Sequence, residues 1–211
     1  MGGGGEARGG RSLLGDVSGL CMSAGTFFQT VGGQDSQAVG MHEIALVCVL
    51  ALEGHDSPGV AASYNNIGEV YRKQCKYEEA LEMYTKSLDI NTRIHGGDNH
   101  PDVAGSFYNI GNVYEEKGDL ENALVQYQKA LEIRTRVFGS DHPDVAVSYI
   151  NIGGVYYIQG QYEEALEYYQ KGLEIKIKVS GQDHLDVAKS YNNIGLVYDR
   201  HVKYEEALEY Y

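Results

Sequence analysis

Three histidines share one repeat position, at 100, 142 and 184, and His55 lies near a fourth counterpart. Imidazoles ligate metals and move protons near neutral pH. Paired carboxylates, the material of acid–base chemistry, stand at Glu78-Glu79, Glu163-Glu164 and Glu205-Glu206. An amide recurs too: YNNIG at Tyr64–Gly68, FYNIG at Phe107–Gly111, YINIG at Tyr149–Gly153 and YNNIG at Tyr191–Gly195, spaced by 43, 42 and 42 residues. Spacing decides which groups can act together. Histidines one helical repeat apart lie about 10 Å or more from each other, too far to share a metal whose bonds are about 2 Å. They are expected to pack helix starts. The glutamate pairs fall on the opening turn of a helix, where negative charge meets the positive helix end, and are expected to be solvated. No GxxxxGK loop occurs, and GGGG at residues 2–5 neither follows a strand nor opens a helix. Catalytic residues, metal ligands and cofactors are therefore not expected, nor is enzymatic activity.

The chain as a whole narrows the remaining classes. Its 211 residues carry 17 Lys plus Arg against 30 Asp plus Glu, a net charge of −13. That lacks the positive footprint a nucleic-acid surface needs. Cys21, Cys48 and Cys75 form no CxxC pair, which fits a reducing compartment better than a disulfide scaffold. The N-terminus lacks the compact apolar run of a signal peptide. The longest apolar run, Ile44–Leu52, is too short to span a bilayer. Gly2 would invite myristoylation, but Glu6 stands where Ser or Thr is wanted. No membrane insertion is expected, and a cytoplasmic location is.

Twelve of the 27 glycines lie in residues 1–40. Glycine loses the most backbone entropy on folding, so this segment is expected to be mostly disordered. Residues 41–56 begin with MHEIALVCVLALE, a helix that is either the worn second helix of a preceding repeat or an apolar cap. From residue 57 onward self-similar copies follow, at 57–98, 99–140, 141–182 and 183–211, the last one cut short. Each copy reads as two antiparallel helices. In the second copy Phe107, Ile110, Gly111 and Tyr114 share one face of the first helix. Leu120, Ala123, Leu124, Tyr127, Ala130, Leu131 and Ile133 make a broad apolar stripe on the second. Glycine inside a helix costs roughly 1 kcal/mol, yet it recurs at 68, 111, 153 and 195. Small against small, Gly111 facing Ala123, is expected to let the axes approach. Asp141-His-Pro-Asp144 and Asp183-His-Leu-Asp186 have the Asp-x-x-acid spacing that can cap a helix start. Gly118 and Gly160 suit a left-handed turn between helices, whereas Cys75 and Val202 occupy that place in copies one and four. A single hairpin leaves an apolar face bare, so the copies must stack into a solenoid.

At about 100° per residue, the asparagines Asn66, Asn109, Asn151 and Asn193 point roughly 150° from the middle of the aromatic–Ile–Gly–Tyr cluster. They are not core residues. Two uses are open, and compatible: a hydrogen bond between consecutive first helices, or a ladder of amides holding the backbone of an extended peptide. The same stripe carries Asn65, Glu69, Arg72 and Lys73 in copy one, and Tyr108, Asn112, Glu115 and Glu116 in copy two. Copy three has Val147, Ile150, Gly154, Tyr157 and Ile158; copy four has Lys189, Asn192, Leu196, Asp199 and Arg200. An apolar centre with charged ends has the anatomy of a peptide interface; the alternative for Ile150, Tyr157 and Ile158 is packing on adjacent helices.

An aromatic, Ile three residues on, Gly beside it, Tyr three further, then KYEEALEMY or QYEEALEYY, resembles the tetratricopeptide repeat. The 42-residue period and the DHPDVA link are similar to the variety in kinesin light chains and nephrocystin-like proteins, over residues 57–211. The resemblance implies an all-α, right-handed α-solenoid that binds protein partners through short peptide segments, as an adaptor or scaffold. In kinesin light chains the asparagine before the Ile-Gly pair contacts bound peptide, which places Asn66, Asn109, Asn151 and Asn193 in the groove. The glycine-rich segment ahead of the repeats has no heptads, so the motor-binding coiled coil of those proteins is not matched. The alternative is a structural spacer, or one that self-associates through its uncapped last repeat. The short last helix suggests a fragment of a longer repeat protein, with Tyr191, Ile194 and Tyr198 only partly covered.

Overall fold

The computed structural model describes residues 35–210, with side chains from residue 39. Nine α-helices are found there. They are α1 (Asp35–Glu53), α2 (Pro58–Lys73), α3 (Tyr77–His95), α4 (Pro101–Lys117), α5 (Leu120–Phe138), α6 (Pro143–Ile158), α7 (Tyr162–Ser180), α8 (Leu185–Arg200) and α9 (Tyr204–Tyr210). They fall into two compact units, divided between Gly97 and Asp98. In the first, α1 packs on α2 and α2 on α3; in the second, α4 to α9 each pack on the next. Both are stacks of antiparallel helix pairs, the all-α repeat architecture expected.

The opening helix differs from expectation. It begins at Asp35, inside the stretch expected to lack structure, and runs 19 residues, the length of α3, α5 and α7. Asp35 lies 42 residues before Tyr77. It thus keeps the phase of a second helix. His42 falls where Tyr84 falls in α3; it is buried, and neither ring nitrogen has a hydrogen-bond partner among the described residues. Burial pulls its pKa down. Residues 1–34 and Tyr211 lie outside the described residues.

The repeated glycine does not face a small residue. A Cβ on Gly111 would come within 2.6 Å of the Tyr127 ring; on Gly68 it would meet Tyr84 at 3.0 Å, and on Gly153 Tyr169 at 2.9 Å. In all three pairs the ring belongs to the second helix of the same hairpin, sixteen residues on. Ala123 is fully buried, but the close approach is glycine to tyrosine. Tyr84 and Tyr127 are each 1% exposed.

The helix starts also differ. The cap residues of α4, α6 and α8 are His100, His142 and His184, whose Nδ1 atoms accept the backbone N–H of Asp102, Asp144 and Asp186, each at 3.2 Å. Asp141 instead pairs with Lys178 of α7. A histidine two residues before the acid reaches an N–H that the preceding aspartate does not. Prolines hold the first position of α2, α4 and α6, where a missing N–H costs nothing. One further contact joins neighbouring hairpins of the second unit. Arg134 of α5 donates to the Asp144 carbonyl at 3.1 Å and to Ser148 Oγ at 2.8 Å. Lys176 of α7 reaches the Asp186 carbonyl at 3.3 Å.

The turns follow expectation: Gly118 (φ 82°) and Gly160 (φ 75°) are left-handed, and Cys75 (φ 58°) and Val202 (φ 60°) are held there without being glycine. Ile194 is fully buried against Ala165, Tyr169 and Leu173, while Tyr191 and Tyr198 pack on Tyr210. Ile194 is thus fully covered, while Tyr191 and Tyr198 are only partly covered, as expected, and α9 contributes only Ala207 as a buried residue.

Two outcomes are expected. Gly111→Ala should lose about 1–3 kcal/mol in denaturant unfolding through overpacking on Tyr127. Gly105→Ala, with nothing within 4 Å of its new Cβ, should gain about 0.5–1 kcal/mol; equal effects at the two sites would refute the contact. In hydrogen exchange, amides in 186–210 should exchange faster than those in 102–137, because α9 has seven residues and short helices are marginal. Val202→Gly should relieve about 1–2 kcal/mol of left-handed strain and slow that exchange.

Candidate functional site

Each first helix turns its Ile-Gly edge to its partner helix and leaves a second stripe away from it. The most ordered part of that stripe is built by the buried tyrosine of the second helix. Its ring lies against the glycine, so its hydroxyl emerges beside the residue that follows the glycine. In the first hairpin the Tyr84 hydroxyl donates to Glu69 Oε2 at 3.0 Å. Arg72 grips the same carboxylate with two bonds, at 3.0 and 2.8 Å, and Lys73 lies 3.5 Å away. Burial raises the pKa of Glu69, but the bonds and charge of Arg72, the Tyr84 hydroxyl and Lys73 together outweigh it, and the net shift is down. Burial, then the Glu69 charge and hydrogen bond, push the Tyr84 pKa well up.

In the second hairpin the Tyr127 hydroxyl lies 2.7 Å from Asn112 Oδ1 and 2.6 Å from Glu115 Oε2, and burial, then this carboxylate, raise its pKa. In the third, Gly154 stands where Glu69 and Asn112 stood. A Cβ there would meet only the Tyr169 hydroxyl, at 3.6 Å. Among the described residues that hydroxyl has no hydrogen-bond partner. Burial first, then nearby Tyr157 and Glu115, push the Tyr169 pKa up to about 12.

The expected groove residues divide. Asn66, Asn109, Asn151 and Asn193 are all half-buried, as are Asn65 and Asn112, and Asn192 is exposed. The side chains of Asn66, Asn151 and Asn193 make no hydrogen bond among the described residues. Arg72 and Lys73 are gathered on Glu69, and Arg200 is exposed, its pKa raised chiefly by Tyr157. Tyr108 and Ile150 turn inward. Arg134 lies 4.9 Å over the Tyr108 ring, which packs against Tyr127. Ile150 packs against Gly172 of α7, whose added Cβ would strike it at 2.8 Å. Tyr157 is half-buried on the same core, whereas Ile158 is 56% exposed. Lys189 is paired with Asp186 at the start of α8, at 2.9 Å. Missed altogether were the hydroxyls of Tyr84, Tyr127 and Tyr169. Their constant distance from each glycine was the available signal.

A tetratricopeptide repeat family model matches residues 33–93, 59–124, 102–178 and 152–211. With the paired helices and the glycine–tyrosine contact, this defines a repeat solenoid, an architecture of scaffolds and not of catalysts. The chain belongs to the tetratricopeptide repeat family. No curated protein matches it. Among solved structures it is similar to BtubC (BKLC) from P. vanneervenii, at 23% identity and a TM-score of 0.81, over 93% of this chain and 78% of that one. A putative kinesin light chain from Podosopora anserina with nearly identical TPR-like repeats is similar at 21% identity and a TM-score of 0.76, over 92% of both chains. A Rap protein complexed with competence and sporulation factor is similar at 18% identity and a TM-score of 0.72, over 92% of this chain and 52% of that one. These likenesses show the fold. Among the described residues no helix is long and apolar enough to cross a membrane.

A lowered Glu69 pKa contributes stability above its unfolded value of 4.5, and loses it as pH falls through the folded value. Glu69→Gln should therefore lower the melting temperature at pH 7. Its deficit should shrink as wild type and variant are melted at falling pH, closing once the pH is below the folded value. A deficit independent of pH would show that the carboxylate charge is not what matters.

Proposed function

We propose that the protein is an interaction module, an adaptor or scaffold that binds an extended segment of a partner protein along the stripe of its first helices. The observation that carries this is the set of amides at Asn66, Asn151 and Asn193, half-buried and without a hydrogen-bond partner among the described residues. Asparagine costs a helix roughly 0.7 kcal/mol relative to alanine, and no internal bond offsets that here. An amide with two donors and two acceptor sites can pair with one peptide group of an extended chain. Repeated along a stack, it gives affinity that tolerates sequence. A Rap protein of the same fold complexed with competence and sporulation factor supports a ligand-binding reading. Location in the cytoplasm accords with the chain's reduced-thiol composition and acidic charge.

Self-association is the second reading, favoured by apolar side chains exposed near the fourth copy: Leu185, Val202 and Leu208 at 68, 69 and 75%. A sedimentation series in protein concentration separates the two. The module reading expects one species, and partners captured by affinity purification that are lost on Asn151→Ala with Asn193→Ala. Both side chains are half-buried and make no hydrogen bond among the described residues, so the double variant should keep its stability within about 1 kcal/mol. Unchanged partners in a folded double variant would overturn the proposal.

A further inference from the structure

At position 42, α1 carries an imidazole where α3 and α5 carry the phenols of Tyr84 and Tyr127. Those phenols cross the core and bring a hydroxyl out to Glu69, or to Asn112 and Glu115. An imidazole ends short of that reach. His42 is 1% exposed, and both its nitrogens are shut from solvent with no hydrogen-bond partner among the described residues. Burying an unpaired polar group is costly, and burying an unpaired charge far more so. His42 also shares, at three- and four-residue spacing, the stripe that holds α1 in place. Further along it, Leu46, Val49 and Leu50 pack in one cluster with Val60 and Ala61 of α2 and Ile90 of α3.

The charges around this stripe are engaged elsewhere or open to water. On α1, Glu43 and Glu53 are exposed. On α2, Glu69 is held by Arg72, Lys73 and the Tyr84 hydroxyl. The Tyr71 ring lies under Lys76, and after burial its pKa is raised by Glu43 of α1 and by Glu79 and Glu82 of α3. Glu82 is itself paired with Lys86. None of these groups bonds to His42, and burial alone accounts for its lowered pKa.

We propose that His42 makes the docking of α1 on α2 a proton-sensitive latch, closed while the imidazole is neutral and released as it takes up a proton. An imidazolium held in this place would have two donors, no acceptor and no counter-charge among the described residues. Water can supply what is missing only if α1 leaves α2. The sign follows from the folded value lying below the unfolded 6.5. The stability of docking is complete above 6.5 and is lost as pH falls through the folded value. Release uncovers Val60, Ala61 and Tyr64, the apolar face that Leu46, Val49 and Leu50 cover. The histidines that start α4, α6 and α8 are built differently. Each has an aspartate oxygen at 3.5, 3.9 or 3.8 Å ready as a counter-charge.

The test follows amide hydrogen exchange of the intact chain between about pH 7.5 and about pH 5, corrected for the intrinsic pH dependence of exchange. That window stays above the range in which Glu69 loses its charge. Protection of α1 amides should fall about fivefold or more across it. His42→Leu is close in volume and takes no proton, so its α1 protection should stay level within about twofold. His42→Gln keeps a buried polar group but cannot titrate. It should lower α1 protection throughout and still flatten its pH dependence, so the outcome does not hinge on how the leucine packs. In wild type, the His42 ring signals in NMR should remain those of a neutral imidazole where an exposed histidine becomes charged. Wild-type α1 protection that is flat with pH, or absent even at about pH 7.5, would overturn the latch. So would an equally steep fall in either variant, or a His42 ring that titrates while α1 stays protected.

Discussion

The contact between a glycine of one helix and a tyrosine ring of the next sets the geometry of every complete hairpin. A ring of this size buries about 150–250 Å², which at about 25 cal/mol per Å² is several times the roughly 1 kcal/mol that a helical glycine costs. The ring can be buried so fully only because the opposite helix offers bare backbone. Any side chain at Gly111 would stand inside Tyr127. The consequence reaches beyond the core. The phenol is longer than the gap it fills, so its hydroxyl emerges on the stripe away from the partner helix. One residue is both interior packing and part of the candidate binding face.

Around that contact the remaining interactions are short-ranged. His142 caps its own helix, Arg134 reaches Tyr108 on the helix before it and the first two turns of the helix after it, and Lys176 reaches the first turn of the following helix one repeat later. Interactions of this reach make stability nearly a sum over neighbours. A hairpin can then change its exposed residues without disturbing hairpins further along. That freedom is visible at the position after the glycine, which holds Glu69, Asn112, Gly154 and Leu196 in turn.

The period, the helix pairs, the left-handed turns at Gly118 and Gly160 and the stripe of asparagines were legible in the sequence, because each depends on local spacing. What escaped was set by a third helix. A helical wheel gives a residue one inside and one outside, yet α6 touches α5, its own partner α7, and α8 through Tyr157 and Arg200. Ile150 therefore looked like groove lining and is spent on Gly172. The aspartate caps failed for a different reason. Asp-x-x-acid spacing is satisfied equally by a histidine one residue later, and only backbone geometry distinguishes them. The phase of α1 was obscured by its composition, since DSQAVGMHEIALVCVLALE keeps the length of a second helix but few of its residue types.

The tyrosine hydroxyl gives the solenoid a way to vary function without varying fold. Its position is dictated by the glycine contact and so is nearly constant from hairpin to hairpin, but its partner is not. When an acid and two cations meet it, as at Glu69, the carboxylate is already paired within the chain. When an acid and an amide meet it, as at Asn112 and Glu115, a negative charge is left over. When no side chain of the described residues meets it, as beside Gly154, the hydroxyl is left to solvent. Adjacent hairpins in the second unit carry the last two states.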